Sequence, residues 1–466
     1  MGVAPLADPT LANMPEETAE EALSPAFVHS VIDAVDRADA AQARELVIPL
    51  RPADLAELFE LLRSDEREEL VRMLGADLNP EVLSELDESV RDHVLNLYDP
   101  KDLAAALSEL DSDDAVYVLE DMDEDEQRII LDQLPANERA VLEQSLDYPE
   151  YSAGRLMQRE LVAVPPFWDV GQTIDYMREA DELPEEFYEI FVVDAAFKPI
   201  GTVPLSRVMR TKRPVKISEI MEDQQTLIPV TMDQEDVAHQ FGKYDLISAA
   251  VVDEDGRLVG VITVDDIVEV ISEEAAEDIR LLGGVGEEAI SDTVLQTSRS
   301  RIPWLMVNLV TAVLAASVIA LFDGAIEEMV ALAVLMPIVA SMGGNAGTQT
   351  MTVTVRALAT RDLVDFNASR TILRELGVGV LNGFVFAVLL GSLVALIFDN
   401  MWLGTVFASA MMINLVVAGL IGILVPLGLE KLGADPAVSS PVFVTTTTDV
   451  VGFFAFLGLA ALVLFY

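Results

Sequence analysis

At 466 residues the chain has room for about three domains. Its formal charge of −50 argues against nucleic acid, whose phosphates would be repelled. The absence of cysteine excludes disulfides and thiolate metal sites. The charge is uneven: from Arg301 onward there are 6 basic and 10 acidic residues, a net of −4, so −46 of the −50 lies on the first 300 residues.

The opening MGVAPLADPT has no basic n-region and no apolar core, so no signal peptide is read there and the acidic half is expected in the cytoplasm. Residues 1–24 read as a flexible tail. Residues 25–148 read as an acidic all-α domain of short amphipathic helices. Leu55, Leu58, Phe59 and Leu62 recur at helical spacing. Pro52-Ala53-Asp54-Leu55-Ala56 returns 48 residues later as Pro100-Lys101-Asp102-Leu103-Ala104, the mark of stacked helical hairpins.

Over residues 149–271 the pattern changes to alternating strands and helices. Phe191-Val192-Val193-Asp194 precedes Gly201, and Ala250-Val251-Val252-Asp253 precedes Gly260, 59 residues on with the same Asp-to-Gly spacing. The copies open at Ser152-Ala153-Gly154-Arg155-Leu156-Met157 and Ile217-Ser218-Glu219-Ile220-Met221. This resembles a tandem CBS pair, an α/β unit repeated. Residues 272–300 read as a connecting helix. On it, Glu273 and Glu277 share a face, as do Glu274 and Asp278, an arrangement that destabilises an isolated helix and that cations would relieve. A solvated charged face is the plain alternative.

Five apolar runs follow within 301–466: 302–322, 329–355, 376–398, 400–429 and 436–466, each longer than the ~20 residues that span a bilayer. Arg299, Arg301, Arg356, Arg361, Arg370, Arg374 and Lys431 flank them, and the positive-inside rule then places the N-terminal half in the cytoplasm and the C-terminus outside.

Two polar interruptions stand out. Gly343-Gly344-Asn345 leads into Thr348, Gln349, Thr350, Thr352 and Thr354, and Asp449 follows Thr445 to Thr448. An ionisable residue within a span marks a functional site. Carboxylate, amide and hydroxyl oxygens favour a hard cation such as Mg²⁺ or Ca²⁺. Gly343 and Gly347 also form a GxxxG, which by itself means close helix packing. Asn382 and Asn414 have a plain reading as bonds across helices. No catalytic constellation is visible, so an enzyme is not expected.

The runs GGNAGTQT with Arg356-Ala357-Leu358-Ala359, and TTTTDVVGFF, resemble the MgtE family of magnesium channels, and the resemblance extends from about residue 30 to the end. It implies a homodimeric, Mg²⁺-gated Mg²⁺ channel of the cell (inner) membrane, with a superhelical N-terminal domain, a CBS pair, a plug helix and five membrane helices. It implies a pore site of Asp449 and Asn345 with the backbone of Gly343 and Gly344, holding Mg²⁺ through its water shell between two subunits. It implies cytoplasmic Mg²⁺ sensing by Glu81, Asp113, Asp233, Glu235, Asp245, Asp266, Glu269, Glu274, Glu277 and Asp278. Co²⁺ or Mn²⁺ are further candidate cargoes. Where some relatives hold ATP, this chain has Glu189 and Arg207 in place of an aromatic and an acid, so nucleotide is not expected. The alternatives are a CBS-regulated secondary transporter of another divalent cation, with Asp449 as ion or proton relay, and a non-transporting membrane sensor.

Overall fold

The structure is a computed structural model that describes residues 23–120, 122–180, 183–184, 186–286, 294–361, 363 and 365–465. The expected tail therefore lies, up to residue 22, outside the described residues. The chain divides into two compact units, one running to Ser272 and the other beginning at Glu273.

Among the described residues the first unit holds ten short α-helices between Pro25 and Leu146. Leu55, Leu58, Phe59 and Leu62 are buried in their shared core, as their spacing requires. Pro52 and Pro100 each start a helix, where a missing N–H costs nothing. The sequence echo thus marks two equivalent helix starts. Two arginines lie inside this core. Arg67 donates to the carbonyls of Phe59 and Leu62, satisfying the end of the preceding helix. Arg91 lies 4.0 Å from the ring centroid of Tyr117 and donates to the Leu86 carbonyl.

Two three-stranded sheets follow. The first has β1 (Ala163–Val164) parallel to β2 (Glu189–Val193) and β2 antiparallel to β3 (Pro199–Pro204). The second repeats this with β4 (Leu227–Pro229), β5 (Ser248–Val252) and β6 (Leu258–Thr263). The register repeats too: Val192 faces Gly201 and Val251 faces Gly260, with a register shift after each valine.

The recurring residues have local causes. Oδ1 of Asp194 accepts the N–H groups of Ala196 and Lys198, and Oδ1 of Asp253 those of Asp255 and Arg257, closing each hairpin. A Cβ on Gly201 would lie 2.7 Å from the Glu222 carbonyl oxygen, and one on Gly260 2.8 Å from that of Gln158. Each glycine admits the opening segment of the other copy, because Gln158 bridges to Val261 on β6 and Glu222 to Thr202 on β3. The two copies are therefore laced into one body.

A helix spans Val264–Gly283, continuous from β6 through the acidic segment.

Among the described residues the second unit holds five helices long and apolar enough to cross a membrane. They span Val294–Ala320, Ala331–Ala359, Asp365–Ile397, Met401–Lys431 and Pro436–Phe465, and a short helix, Asp323–Glu328, sits between the first two. The fourth is the most buried and packs against the second, third and fifth. Phe407 on the fourth meets Phe456 on the fifth edge to face, with centroids 5.6 Å apart. The first is exposed along most of its length, with Ile302, Leu305, Leu309 and Val313 outward.

The third helix begins about three turns before the apolar run at 376. A run of hydropathy ends at the nearest charge, whereas a helix continues through charges that find partners.

Candidate functional site

The second long helix buries Leu335, Val339, Gly343, Gly347, Met351 and Thr354, a three-to-four-residue stripe against the bundle. That stripe fixes the faces of the polar motif. Gly343 and Gly347 point into the packing, Gly344 has open space where a Cβ would stand, and Asn345, Thr348 and Thr352 lie on the exposed side.

On the fifth helix Val444 and Thr448 are fully buried. The Thr446 and Thr448 hydroxyls donate back to the carbonyls of Val442 and Val444, so those two threonines are satisfied within their own helix. Asp449 is half-buried beside them. The second and fifth helices approach at Gly347, where an added Cβ would lie 2.6 Å from Val444 and 3.5 Å from Thr448, the residue before Asp449.

A recess of about 190 Å³ opens between the second, third and fourth helices, with Gln349, Thr350, Glu375 and Asn382 among a lining that is otherwise apolar. Glu375 is 9% exposed; its Oε1 accepts from Arg374 at 2.9 Å, and Thr350 lies 3.5 Å from its Oε2. The sequence reading passed over Glu375 because it lies one residue outside the apolar run.

The end of the Val264–Gly283 helix reaches these helices. Leu281 and Leu282 pack against Met351 and Val355 of the second and against Ala437 and Val444 of the fifth. Asp278, one turn earlier, has its carboxyl pushed up by burial and then by the charge of Asp435.

In the first unit, carboxyls of the helix Ser112–Glu120 lie within the electrostatic reach of Asp266 at the start of the Val264–Gly283 helix. Asp113 and Asp266, 153 residues apart in sequence, lie close enough that the charge of Asp266 raises Asp113. Burial is the larger cause, and it holds Asp113 well above the usual carboxylate range. Asp114 is pushed up to about 7, by burial first and then by Asp266. Asp266 is pushed up to about 6 by burial, although the Thr263 hydroxyl and N–H donate to its Oδ2 at 2.8 and 3.3 Å. Asp111 adds to the field on all three, and Glu85 is raised by burial and by Glu81. Asp111, Asp114 and Glu85 were not singled out from sequence, because only the tertiary approach of distant helices distinguishes them from other surface acids.

The remaining sensing candidates hold local positions. Glu81 is exposed and accepts from Asn79 at 3.2 Å. Asp233 caps the helix Gln234–Tyr244, accepting the N–H of Glu235 at 3.0 Å. Asp245 ends that helix in the left-handed conformation, at φ 53°. Glu269 and Glu277 are exposed and Glu274 is half-buried on the Val264–Gly283 helix. Among the described residues no group of three or more His, Asp or Glu converges as a metal site. In the CBS pair, Glu189 accepts from Ser248 at 3.0 Å, and Arg207 pairs with Glu222 and donates to the Ile220 carbonyl.

Comparison with known proteins gives three family matches. Residues 336–459 match the MgtE divalent cation transporter family, residues 50–151 the MgtE intracellular N domain, and residues 153–213 and 217–273 the CBS domain. The magnesium transporter MgtE of Thermus thermophilus is 35% identical over 331 residues, covering 70% of this chain and 73% of that protein. The magnesium transporter MgtE of Enterococcus faecalis is 33% identical over 325 residues, covering 70% and 72%. Among solved structures, the cytosolic domain of the Mg²⁺ channel MgtE in complex with ATP matches at 31% identity and a TM-score of 0.49, covering 52% of this chain and 99% of that one. With an acidic helical region, a CBS pair and five apolar helices in that order, the chain belongs to the MgtE family of divalent cation transporters.

Proposed function

We propose that the chain carries Mg²⁺ inward across the cell membrane as a homodimeric channel, and that cytoplasmic Mg²⁺ closes it. The observation that carries the conduction half is Asp449, a half-buried carboxylate within an apolar helix that packs against the helix bearing Asn345. One carboxylate per chain is a thin site for a dication. A two-fold axis would bring two together, with Asn345 and the backbone of Gly343 and Gly344 contacting the water shell that Mg²⁺ keeps. The magnesium transporters among its relatives support this cargo.

The gating half rests on two features. The charge of Asp266 raises both Asp113 and Asp114, a repulsion that a divalent cation would relieve. The Leu281–Leu282 end of the acidic helix packs on the two helices that carry the pore candidates. In this reading residues 25–148 and 149–271 sense, residues 272–300 connect, and residues 301–466 conduct. Glu81, Asp233, Glu235, Asp245, Glu269, Glu274, Glu277 and Asp278 supply further oxygens to bound Mg²⁺.

The test is Mg²⁺ uptake by proteoliposomes of the purified full chain, together with growth rescue of a Mg²⁺-auxotrophic strain. Uptake down the Mg²⁺ gradient with no accompanying proton movement supports the channel. Uptake coupled to protons would favour a secondary transporter instead, and absence of both uptake and rescue would remove the transport reading.

A further inference from the structure

Asn414 lies midway along the fourth long helix and is fully buried. Its Nδ2 donates to the Val339 carbonyl of the second helix at 2.9 Å. Two glycines make room for it. A Cβ on Gly343 of the second helix would lie 2.1 Å from Nδ2, and a Cβ on Gly452 of the fifth helix 2.8 Å from the same atom. One carboxamide is therefore wedged between two helices, each stripped of a side chain at the contact. Gly343 is two residues from Asn345, and Gly452 is three from Asp449.

Oδ1 of Asn414 is buried without a hydrogen-bond partner. A buried orphan acceptor lowers stability. A residue kept only to fill this space would do better as leucine, which has the same branching and no polar atom. Groups that cost stability are retained where geometry matters to function.

We propose that Asn414 is a positioning residue for the ion path: its carboxamide sets the separation of the second and fifth helices, and so the spacing of Asn345 and Asp449 on which discrimination among divalent cations depends. This rests on the conduction reading above. Recognition through a water shell tolerates little change in spacing, because a site built for Mg²⁺ must reject the larger Ca²⁺ by cavity size and rigidity.

The test uses the full chain. Because it has no cysteine, spin labels can be placed at Val334→Cys and Leu462→Cys, exposed positions on the second and fifth helices, and diluted with unlabelled chain. In Asn414→Leu the distance distribution between the labels is expected to shift or broaden, and preference for Mg²⁺ over Ca²⁺ in liposome flux to fall by about three- to tenfold, the range spanned by one lost hydrogen bond. Gly343→Ala alone is expected to lower the thermal midpoint. Gly343→Ala combined with Asn414→Ala removes the clash and is expected to recover part of the thermal midpoint but not selectivity. Wild-type label distances and wild-type selectivity in Asn414→Leu would overturn the inference, as would a Gly343→Ala chain as stable as wild type. Loss of assembly in every Asn414 variant would show a purely structural clasp and overturn it as well. If the wild type itself moved no Mg²⁺, the transport reading would fall, while the label distances would still decide whether Asn414 sets the helix separation.

Discussion

A methyl group added at Gly347 would lie 2.6 Å from Cγ1 of Val444, whereas one added at Gly344 would meet nothing within 4 Å. Three residues apart, they face packing and open space. Gly347→Ala is therefore expected to destabilise the bundle by about 1–3 kcal/mol, the usual cost of overpacking, and Gly344→Ala to leave it nearly unchanged. Thermal unfolding of the detergent-solubilised chain measures both, and equal midpoints would contradict the packing described. Asp449→Asn keeps the shape and removes the charge. Mg²⁺ flux should fall by about 100-fold, since uncompensating a partly desolvated ion costs roughly 3 kcal/mol or more. Asn345→Leu should block flux and Asn345→Ala alter selectivity; unchanged flux and selectivity in both would reduce the motif to helix packing. Asn345 and Asp449 were legible in the sequence because a polar group in an apolar run needs a reason. Glu375 was not, because a hydropathy run stops at the first charge and cannot register that Arg374 and Thr350 stand beside it.

At the scale of elements, the raised carboxyls of the Ser112–Glu120 helix and of Asp266 on the Val264–Gly283 helix should make stability depend on pH. Asp114 at about 7 and Asp266 at about 6 lie above the ordinary 3.8, so folding takes up protons between about pH 4 and pH 7. Their stabilising protonation is fully present below about pH 4. It is lost as pH rises through 6 to 7, leaving the full repulsion above that. Without divalent cations, the unfolding midpoint of the first unit within the full chain should rise as pH falls from 8 to 5. Asp114→Asn with Asp266→Asn should flatten that slope, and millimolar Mg²⁺ should raise the midpoint at pH 8 more than monovalent salt of equal ionic strength. A slope unaltered by the two substitutions would show that other groups carry it. The CBS strands were legible because the 59-residue repeat carries its own reasons, an Asp to close each hairpin and a Gly to admit a crossing segment. The acidic cluster was legible only in part. Asp113 and Asp266 came by family resemblance, while Asp111, Asp114 and Glu85 depend on an approach between helices that no local pattern records.

For the whole molecule, one helix would join the proposed acidic sensor to the proposed path through the membrane, and its Leu281 and Leu282 pack on the second and fifth long helices. Charge and ligation pull in opposite directions here. Replacing Asp233, Asp245 and Asp266 with Asn weakens repulsion, which favours closure, and removes oxygen ligands, which favours opening. Ligand loss should dominate, because a bridged state needs oxygens at defined places and screening supplies none. The most direct measurement is an inside-out patch recording of the full chain with Mg²⁺ stepped on the cytoplasmic face. The expected result is an inward Mg²⁺ current in the wild type that shuts as cytoplasmic Mg²⁺ rises, a current about 100-fold smaller in Asp449→Asn, and a current in the triple Asn variant that persists at Mg²⁺ levels that shut the wild type. A wild-type current indifferent to cytoplasmic Mg²⁺, or one undiminished in Asp449→Asn, would contradict it.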